Sequence, residues 1–376
     1  MTIKSSYFQM NKNEFNLYLE DLKKSSNTIH LLNDRYFFNQ SSEVLELVLE
    51  LNKKMMEFDS LINTFSEFSK KQIIQSFLID EIKSTNMIEN INSTRHDIFS
   101  IINKVSSSND KKIISISNAY KELLNSKGSI ISSLSDIRKE YDAILKDAIS
   151  KKDLPDGIYF RKDNVYVSDG FNIIHNGTIG ENKINEEMNC FIDLYNSNMD
   201  IFIKMILCHF IFENTHPFYD GNGRLGRFLF SNGLFLETKS LLSFIISSSL
   251  EKEKDKYYKA FKEANNKHEF FFLNSYFEII SNILIKQIDI NINNLKKKKS
   301  IIDNLKNNIH LTKSEQKIYD LLNEASILSY YGLSNEEIIK ETNISKRTLI
   351  YTLNKFKEKD LIVNTKIGKI TYHKFK

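Results

Sequence analysis

Tryptophan is absent from this 376-residue chain, and proline and cysteine occur only twice each. Cys190 and Cys208 both fall in apolar, helix-patterned stretches without metal-ligand spacing. That argues against a disulfide scaffold and a zinc site, and reads as free thiols in a reducing compartment. The prolines are Pro155 and Pro217, none of the 11 glycines precedes Gly128, and most lie between Gly157 and Gly233. A chain so poor in breakers is expected to be mainly α, with irregular backbone confined to its middle. Charge of one sign is lacking too: 52 basic residues stand against 48 acidic ones, a net +4. Bulk charge therefore excludes polyanion binding as a default, and any nucleic-acid surface must be local. No apolar run reaches the length of a membrane span, and the stretch from Met1 to Ser5 lacks a signal-peptide core. No membrane association and a cytoplasmic location are the expectations.

The chain has room for two or three domains. An N-terminal helical region, 1–110, shows helical periodicity in Ser42–Phe58 and Lys70–Ser84, and the pattern continues in Ser115–Leu124. The central region, 111–300, changes character at Gly157. There Ile158-Tyr159-Phe160-Arg161, the turn-prone Lys162-Asp163-Asn164 and Val165-Tyr166-Val167 spell a β-hairpin near 157–167, with another turn at Asp169-Gly170. Helices are expected at Asn185–Asn196, at Ile201–Glu213 and from Arg224 to Glu237. A long helical stretch begins near Asn274, and Lys296–Lys299 closes it as a solvated boundary. In 301–376, helical patterns at Lys313–Glu324, Asn335–Glu341 and Lys346–Lys359 precede two short strands around Gly368, the order of a winged helix. Ser345 is placed to cap the third helix, and Lys346, Arg347, Thr348, Tyr351 and Lys355 are expected on its exposed side. DNA binding and protein docking are both open uses of such a module.

The most informative segment runs His216-Pro217-Phe218-Tyr219-Asp220-Gly221-Asn222-Gly223-Arg224-Leu225-Gly226-Arg227. Gly221 and Gly223 flank Asn222, so the backbone can turn and aim successive N–H groups at an anion. A helix starting at Arg224 puts this cradle at its positive end, with Arg224 and Arg227 on one face of the first turn. Asp220 supplies a hard oxygen ligand for Mg²⁺. His216 is the one group here that titrates near neutrality, which suits a general base. His209, within the apolar stretch Met205–Phe212, reads as a core histidine without a role, and Phe218 as a pin for the loop.

With its Lys and Ser or Thr missing, the segment is not the P-loop. It resembles instead the Fic family motif, H-x-F-x-(D/E)-G-N-G-R-x-x-R, with every fixed position filled. The resemblance implies a Fic-type helical domain and transfer of AMP from ATP, with Mg²⁺, onto a hydroxyl of a target protein or of the chain itself. In that reading His216 is the base and Asp220 the metal ligand. Gly221, Asn222 and Gly223 supply backbone and amide donors, and Arg224 and Arg227 hold the β- and γ-phosphates. The hairpin resembles the family's flap, on which a target segment docks by strand addition. Self-association into homodimers is a further expectation of the resemblance.

A second segment, Ser84-Thr85-Asn86-Met87-Ile88-Glu89-Asn90, resembles the family's inhibitory motif (S/T)-x-x-x-E-(G/N), with Thr85, Glu89 and Asn90 at its fixed positions. The implied mechanism is competition: Glu89 pairs with Arg227 and takes the guanidinium that holds the γ-phosphate. Two other readings are open. Glu89 positions water for removal of AMP from a modified target, or the chain is a DNA-binding regulator in which the nucleotide site only senses. Transfer of UMP or phosphate is disfavoured by the presence of the second arginine.

Overall fold

The structure is a computed structural model that describes residues 10–105, 111–125, 127–168, 173–265, 271–305 and 310–376. It is mainly helical. α1 (Lys12–Lys24) leads into an antiparallel hairpin, β1 (Thr28–Leu31) and β2 (Tyr36–Asn39), and then α2 (Ser42–Asn63) and α3 (Glu67–Ile88). α4 (Arg95–Ile102), α5 (Lys111–Leu124) and α6 (Leu134–Ile144) follow. A second antiparallel hairpin pairs β3 (Tyr166–Ser168) with β4 (Ile173–Asn176). The central bundle is α7 (Glu181–Tyr195), α8 (Ile201–Thr215), α9 (Asn222–Thr238), α10 (Ile246–Lys252), α11 (Lys254–Ala264) and α12 (Asn274–Asp303).

The sequence of α8, IFIKMILCHFIFENT, is apolar on every side, so the helix can be stable only in the interior. It is buried almost throughout, with α7 and α9 packed along it and α3 crossing α9. Asp200 caps it by accepting from the Phe202 N–H at 2.9 Å. α9 is buried from Asn222 to Phe235, where Gly226 and Gly233 let neighbours approach: a Cβ at Gly233 would lie 2.4 Å from the Met205 sulfur. These two rigid helices hold the twelve-residue segment between them.

The C-terminal residues build α13 (Lys313–Leu328), β5 (Leu333–Ser334), α14 (Asn335–Thr342), α15 (Lys346–Glu358), β6 (Ile362–Ile367) and β7 (Ile370–Phe375), with strand order β5-β7-β6, all antiparallel. They enclose a core of their own around Ile318, Leu322, Leu349 and Phe356. This unit is seated on α3 and α4. Ser76 donates to the Leu328 carbonyl at 2.7 Å, Tyr330 donates to Asp80, and Phe99 meets the Tyr372 ring edge-on at 5.1 Å.

Three expectations change. The stretch Gly157–Arg161 is not a strand. Its backbone turns on itself through a Gly157 N–H to Phe160 carbonyl bond of 2.8 Å, and Glu181 accepts from the N–H groups of Tyr159 and Phe160. The hairpin forms one step downstream, with Tyr166 opposite Asn176, and the expected turn at Asp169-Gly170 lies outside the described residues. Lys355 is not free on the face of α15, because it pairs with Glu315 at 2.7 Å, whereas Lys346, Arg347 and Tyr351 are exposed. α12 continues past the lysine run to Asp303, and Lys298 is half-buried.

Candidate functional site

α8 ends at Thr215, and His216 takes a left-handed φ of 54°, unusual for a residue with a Cβ. Such backbone persists where its surroundings over-determine it. Here the His216 N–H donates to the Phe212 carbonyl at 2.9 Å, and its own carbonyl accepts from Arg161 Nε at 2.8 Å. The imidazole is partly exposed, with Nδ1 3.4 Å from the Glu213 carbonyl. Phe218 goes inward, stacked on Tyr141 at 3.8 Å and edge-on to Phe160 at 5.4 Å. Asn222 closes the loop. Its Oδ1 accepts from the Phe218 N–H at 2.9 Å, and its Nδ2 donates to the Phe218 carbonyl at 2.7 Å.

The Asn222 side-chain amide is thus bonded at both ends to the loop it closes. Gly221, with φ 86°, starts α9, and a Cβ there would lie 2.6 Å from Leu145 Cδ1. Gly223 is buried beneath Glu89, and the N-terminus of α9 directs its positive dipole at that carboxylate.

Arg224 is 2% exposed, and its Nε and Nη1 are buried without a hydrogen-bond partner among the described residues. Only Nη2 faces a charge, Asp220 Oδ1 at 3.8 Å. Burial pushes the Arg224 pKa below its ordinary value, against the pull of Asp220 and Glu89. A guanidinium held dry with two donor atoms unused, beside a helix N-terminus, is suited to phosphate oxygens. Asp220 is 56% exposed and keeps its carboxylate at the mouth, where it also accepts from the Gly221 N–H at 2.6 Å. Among the described residues no group of three or more His, Cys, Asp or Glu side chains gathers around a point, and Asp220 is the carboxylate within the segment. Mg²⁺ fits that donor set, since it takes one or two carboxylates and completes its shell with phosphates and water.

Arg227 is 1% exposed and held through its Nε and Nη2 by the end of α3. Its Nη2 donates to Glu89 Oε1 at 2.8 Å and to the Thr85 carbonyl at 3.0 Å, and its Nε donates to Thr85 Oγ1 at 3.0 Å. Burial works against the Glu89 charge, yet Arg227, with Arg224 and His216 beyond it, holds the carboxyl below the ordinary range. Reciprocally, burial works against the Arg227 charge, yet Glu89, with Tyr257 and Glu213 beside it, raises the Arg227 pKa. The same carboxylate covers the cradle: a Cβ on Gly223 would lie 2.1 Å from Glu89 Oε1. Asn90 ends the helix at φ 57°, which lets Ile91 N–H return to the Asn86 carbonyl at 2.9 Å. Gly and Asn are the residues that tolerate this cap, which accounts for the last position of the segment. Thr85 and Glu89 thus meet on Arg227, a partner far along the chain, while Asn90 ends the helix that carries them.

Several site residues were not legible in the sequence. Arg161 is 0% exposed and braces the loop through carbonyls: its Nη2 donates to Thr178 at 2.8 Å and Thr215 at 3.3 Å, and its Nη1 to Asp163. A Cβ on Gly177 would lie 2.6 Å from that guanidinium and 3.2 Å from His216 Cβ. Glu187 accepts from the hydroxyls of Thr178 and Thr215 and pairs with Arg35 at 3.0 Å, tying the first hairpin to the end of α8. Glu213 turns into the interior beside Arg227, where one of its oxygens has no partner among the described residues. Burial pushes its carboxyl up to about 8, with Arg227 opposing the shift. An arginine in an apolar stretch was the only sequence signal for Arg161. His209 is a core residue, hydrogen-bonded to Tyr257 at 2.8 Å and pushed down to about 3 by burial.

Residues 132–234 match the Fic/DOC family, a span that holds the 216–227 segment and Arg161 but neither Glu89 nor the C-terminal unit. A Fic family protein from Desulfovibrio desulfuricans G20 has the same fold: TM-score 0.57, 16% identity, with 90% of this chain and 97% of that one covered. Weaker likenesses are to a fragment of Fic-1 from C. elegans, with TM-score 0.47, 17% identity and 68% and 74% coverage. A Fic domain containing signaling protein from Bacteroides thetaiotaomicron gives TM-score 0.45, 14% identity and 66% and 97% coverage. No helix among the described residues is long and apolar enough to cross a membrane.

Proposed function

Because residues 132–234 form a Fic/DOC family domain, we propose that this chain is a protein adenylyltransferase held in check by its own Glu89. Proteins with this domain typically transfer a nucleoside monophosphate to other proteins, so the class of reaction follows from the domain. The observation that carries the finer reading is the pair of arginines on α9: Arg224 is dry with two donor atoms unused, and Arg227 gives three hydrogen bonds to Thr85 and Glu89. One is ready for a phosphate and the other is withheld.

In the reaction proposed, a hydroxyl of a target protein attacks the α-phosphorus of ATP. A new O–P bond forms, the bond to the bridging oxygen breaks, and pyrophosphate leaves. His216, at the mouth and fixed by Arg161, takes the hydroxyl proton. The backbone N–H groups at Gly221–Gly223 and the Arg224 guanidinium face the charge that develops on the phosphates. Mg²⁺, held by Asp220, would neutralise phosphate charge when bound. Arg227 would hold the terminal phosphate only after Glu89 leaves it, so the resting chain binds ATP in a pose that does not transfer.

The target segment is proposed to dock on the two-stranded β3–β4 hairpin, which lies just upstream of Thr178 and the loop it braces. Backbone pairing on its edges would make target sequence preference weak. The C-terminal helices and antiparallel sheet support a winged helix, whose exposed Lys346 and Arg347 are available to DNA or to an acidic protein.

One observation favours a second reading. The Glu89 carboxylate is 34% exposed and lies over the cradle, where it can also hold a water for removal of AMP. Incubation of wild type, Glu89→Gly and His216→Ala with labelled ATP, Mg²⁺ and lysate, followed by mass spectrometry of labelled bands, tests the proposal. Label on protein only with His216 intact, and more of it with Glu89→Gly, supports transfer. Loss of de-modification of a pre-modified target in Glu89→Gly would favour removal.

A further inference from the structure

The last turns of α3 present two faces. Thr85 and Glu89 reach Arg227, whereas Asp80, Lys83, Ser84 and Met87 recur at the spacing of a single helix face and line one wall of a cleft of about 460 Å³. α10, α12 and Tyr330 of the C-terminal unit supply the other walls. This cleft shares no residue with the motif site.

Its charge is one-sided. Arg95 is neutralised locally, bonded to Asp80 at 2.8 Å and stacked over Tyr330 at 4.6 Å. Lys83, Lys252, Lys297 and Lys298 also line the cleft, and none of them makes an ion pair among the described residues. Glu251 is the one lining carboxylate left to oppose them. The run Lys296–Lys299 therefore divides its work: Lys296 goes to Glu57 and Lys299 to Asp303, while the two between them face the cleft. Burial pushes the Lys298 ammonium below its ordinary value, with nearby Lys374 acting the same way against Asp80. Lys83 and Lys298 are half-buried and Lys252 and Lys297 exposed, so the four together give the cleft a local positive field that favours an anion. Between the lysines the walls are mixed, with Phe77, Ile245, Leu295 and Ile301 as apolar side chains and Ser248, Asn291 and Asn294 as polar ones.

We infer that this cleft is a second binding site, for a small molecule that carries a polyphosphate on an apolar or aromatic body. The volume lies within the roughly 300–1,000 Å³ of small-molecule sites and is too small for a nucleic-acid duplex. Mobile lysine point charges suit a flexible polyphosphate, and the apolar side chains of the walls suit the body that bears it. The site stands on its own lining residues and does not depend on the adenylylation reading. If Glu89 restrains transfer, the shared helix α3 links occupancy of the cleft to that restraint, because a ligand on one face of its last turns is felt on the other.

The test is calorimetric titration of the full chain with ADP, in wild type and in an Arg224→Ala background that weakens phosphate binding at the motif. ADP binding is expected to survive Arg224→Ala and to weaken at least about tenfold when Lys83→Gln and Lys298→Gln are added, the loss of two charge-assisted contacts. The thermal midpoint of each variant checks that folding is intact, and wild type carrying only the two lysine changes should keep one binding event and lose another. Inorganic pyrophosphate is expected to bind the same lysines more weakly than ADP. Binding that ignores both lysines, or no heat with millimolar ADP in the Arg224→Ala chain, would overturn the site. Pyrophosphate binding as tight as ADP would overturn the apolar body.

Discussion

Glu89 and Arg227 lie 138 positions apart and meet at 2.8 Å, with the carboxylate set directly above Gly223. One side chain therefore covers a guanidinium and a helix N-terminus together, the two elements proposed to bind phosphate. Thr85 deepens the hold, because its hydroxyl and carbonyl take the remaining inward-facing donors of the same arginine. Release requires the end of α3 to give up three hydrogen bonds as a group.

His216→Ala is expected to lower transfer by roughly 10²- to 10⁴-fold in a Glu89→Gly background, the usual worth of a positioned general base. ATP affinity should change little, since the imidazole is not among the phosphate donors. Rates and nucleotide affinity measured on the same preparations check the split; a loss confined to affinity would remove His216 from the proton transfer.

Arg161 acts through the backbone it holds. Arg161→Ala takes the guanidinium donor from the carbonyls of Thr178 and His216 and leaves Thr215 only the Thr178 N–H, and should destabilise the chain by roughly 3 kcal/mol, as buried hydrogen-bonding groups lose a charged partner. Arg161→Lys, which can satisfy fewer of these carbonyls, should recover part of the stability while the catalytic rate stays low, because the left-handed His216 is no longer fixed. Thermal midpoints beside transfer rates test this, and a full return of rate with lysine would contradict it.

Glu213 gives the pH dependence a sign. Its carboxyl ionises near the ordinary 4.5 when unfolded and near about 8 in the folded chain, so between those values the native state holds the extra proton. Its contribution makes stability fall as pH rises from about 4.5 to about 8, and is level on either side. Glu81, Asp59 and Glu140, also raised by burial, act in the same direction, whereas His209, lowered to about 3, acts against them up to 6.5, so the slope has several sources. Glu213→Gln should reduce it without removing it. Thermal midpoints taken across that range are the check, and an unchanged slope would show that Glu213 is ionised in the fold.

The 216–227 segment was legible because its chemistry is contiguous: loop, helix start and both arginines occupy one stretch of sequence. Glu89 was legible through the fixed spacing that puts Thr85 and Glu89 on one helix face and leaves Asn90 to end the helix. Arg161 was not, because its partners are main-chain carbonyls as far as 55 positions away, and a carbonyl leaves no mark in sequence. The displaced hairpin has the same origin. Tyr159 and Phe160 have the composition of a strand, but Glu181 takes their N–H groups and the buried Arg161 fixes the backbone beside them. The hairpin β1–β2 was missed outright. Its strands are four residues each, and its second strand is held partly by the segment before α12, through Phe37 N–H to the Phe271 carbonyl at 2.8 Å. The lysine run was half legible, since which lysines turn inward depends on what packs against α12.

The central claim is that Glu89 restrains an otherwise competent site by holding Arg227. Its most direct measurement is the rate at which purified chain labels itself from labelled ATP with Mg²⁺, compared between wild type, Glu89→Gly and Glu89→Gly with Arg227→Ala. The account predicts about a tenfold or larger rise for Glu89→Gly, the scale of one charge-assisted contact, and loss of that gain when Arg227 is also removed. Equal labelling by wild type and Glu89→Gly, or a gain that survives without Arg227, would contradict it.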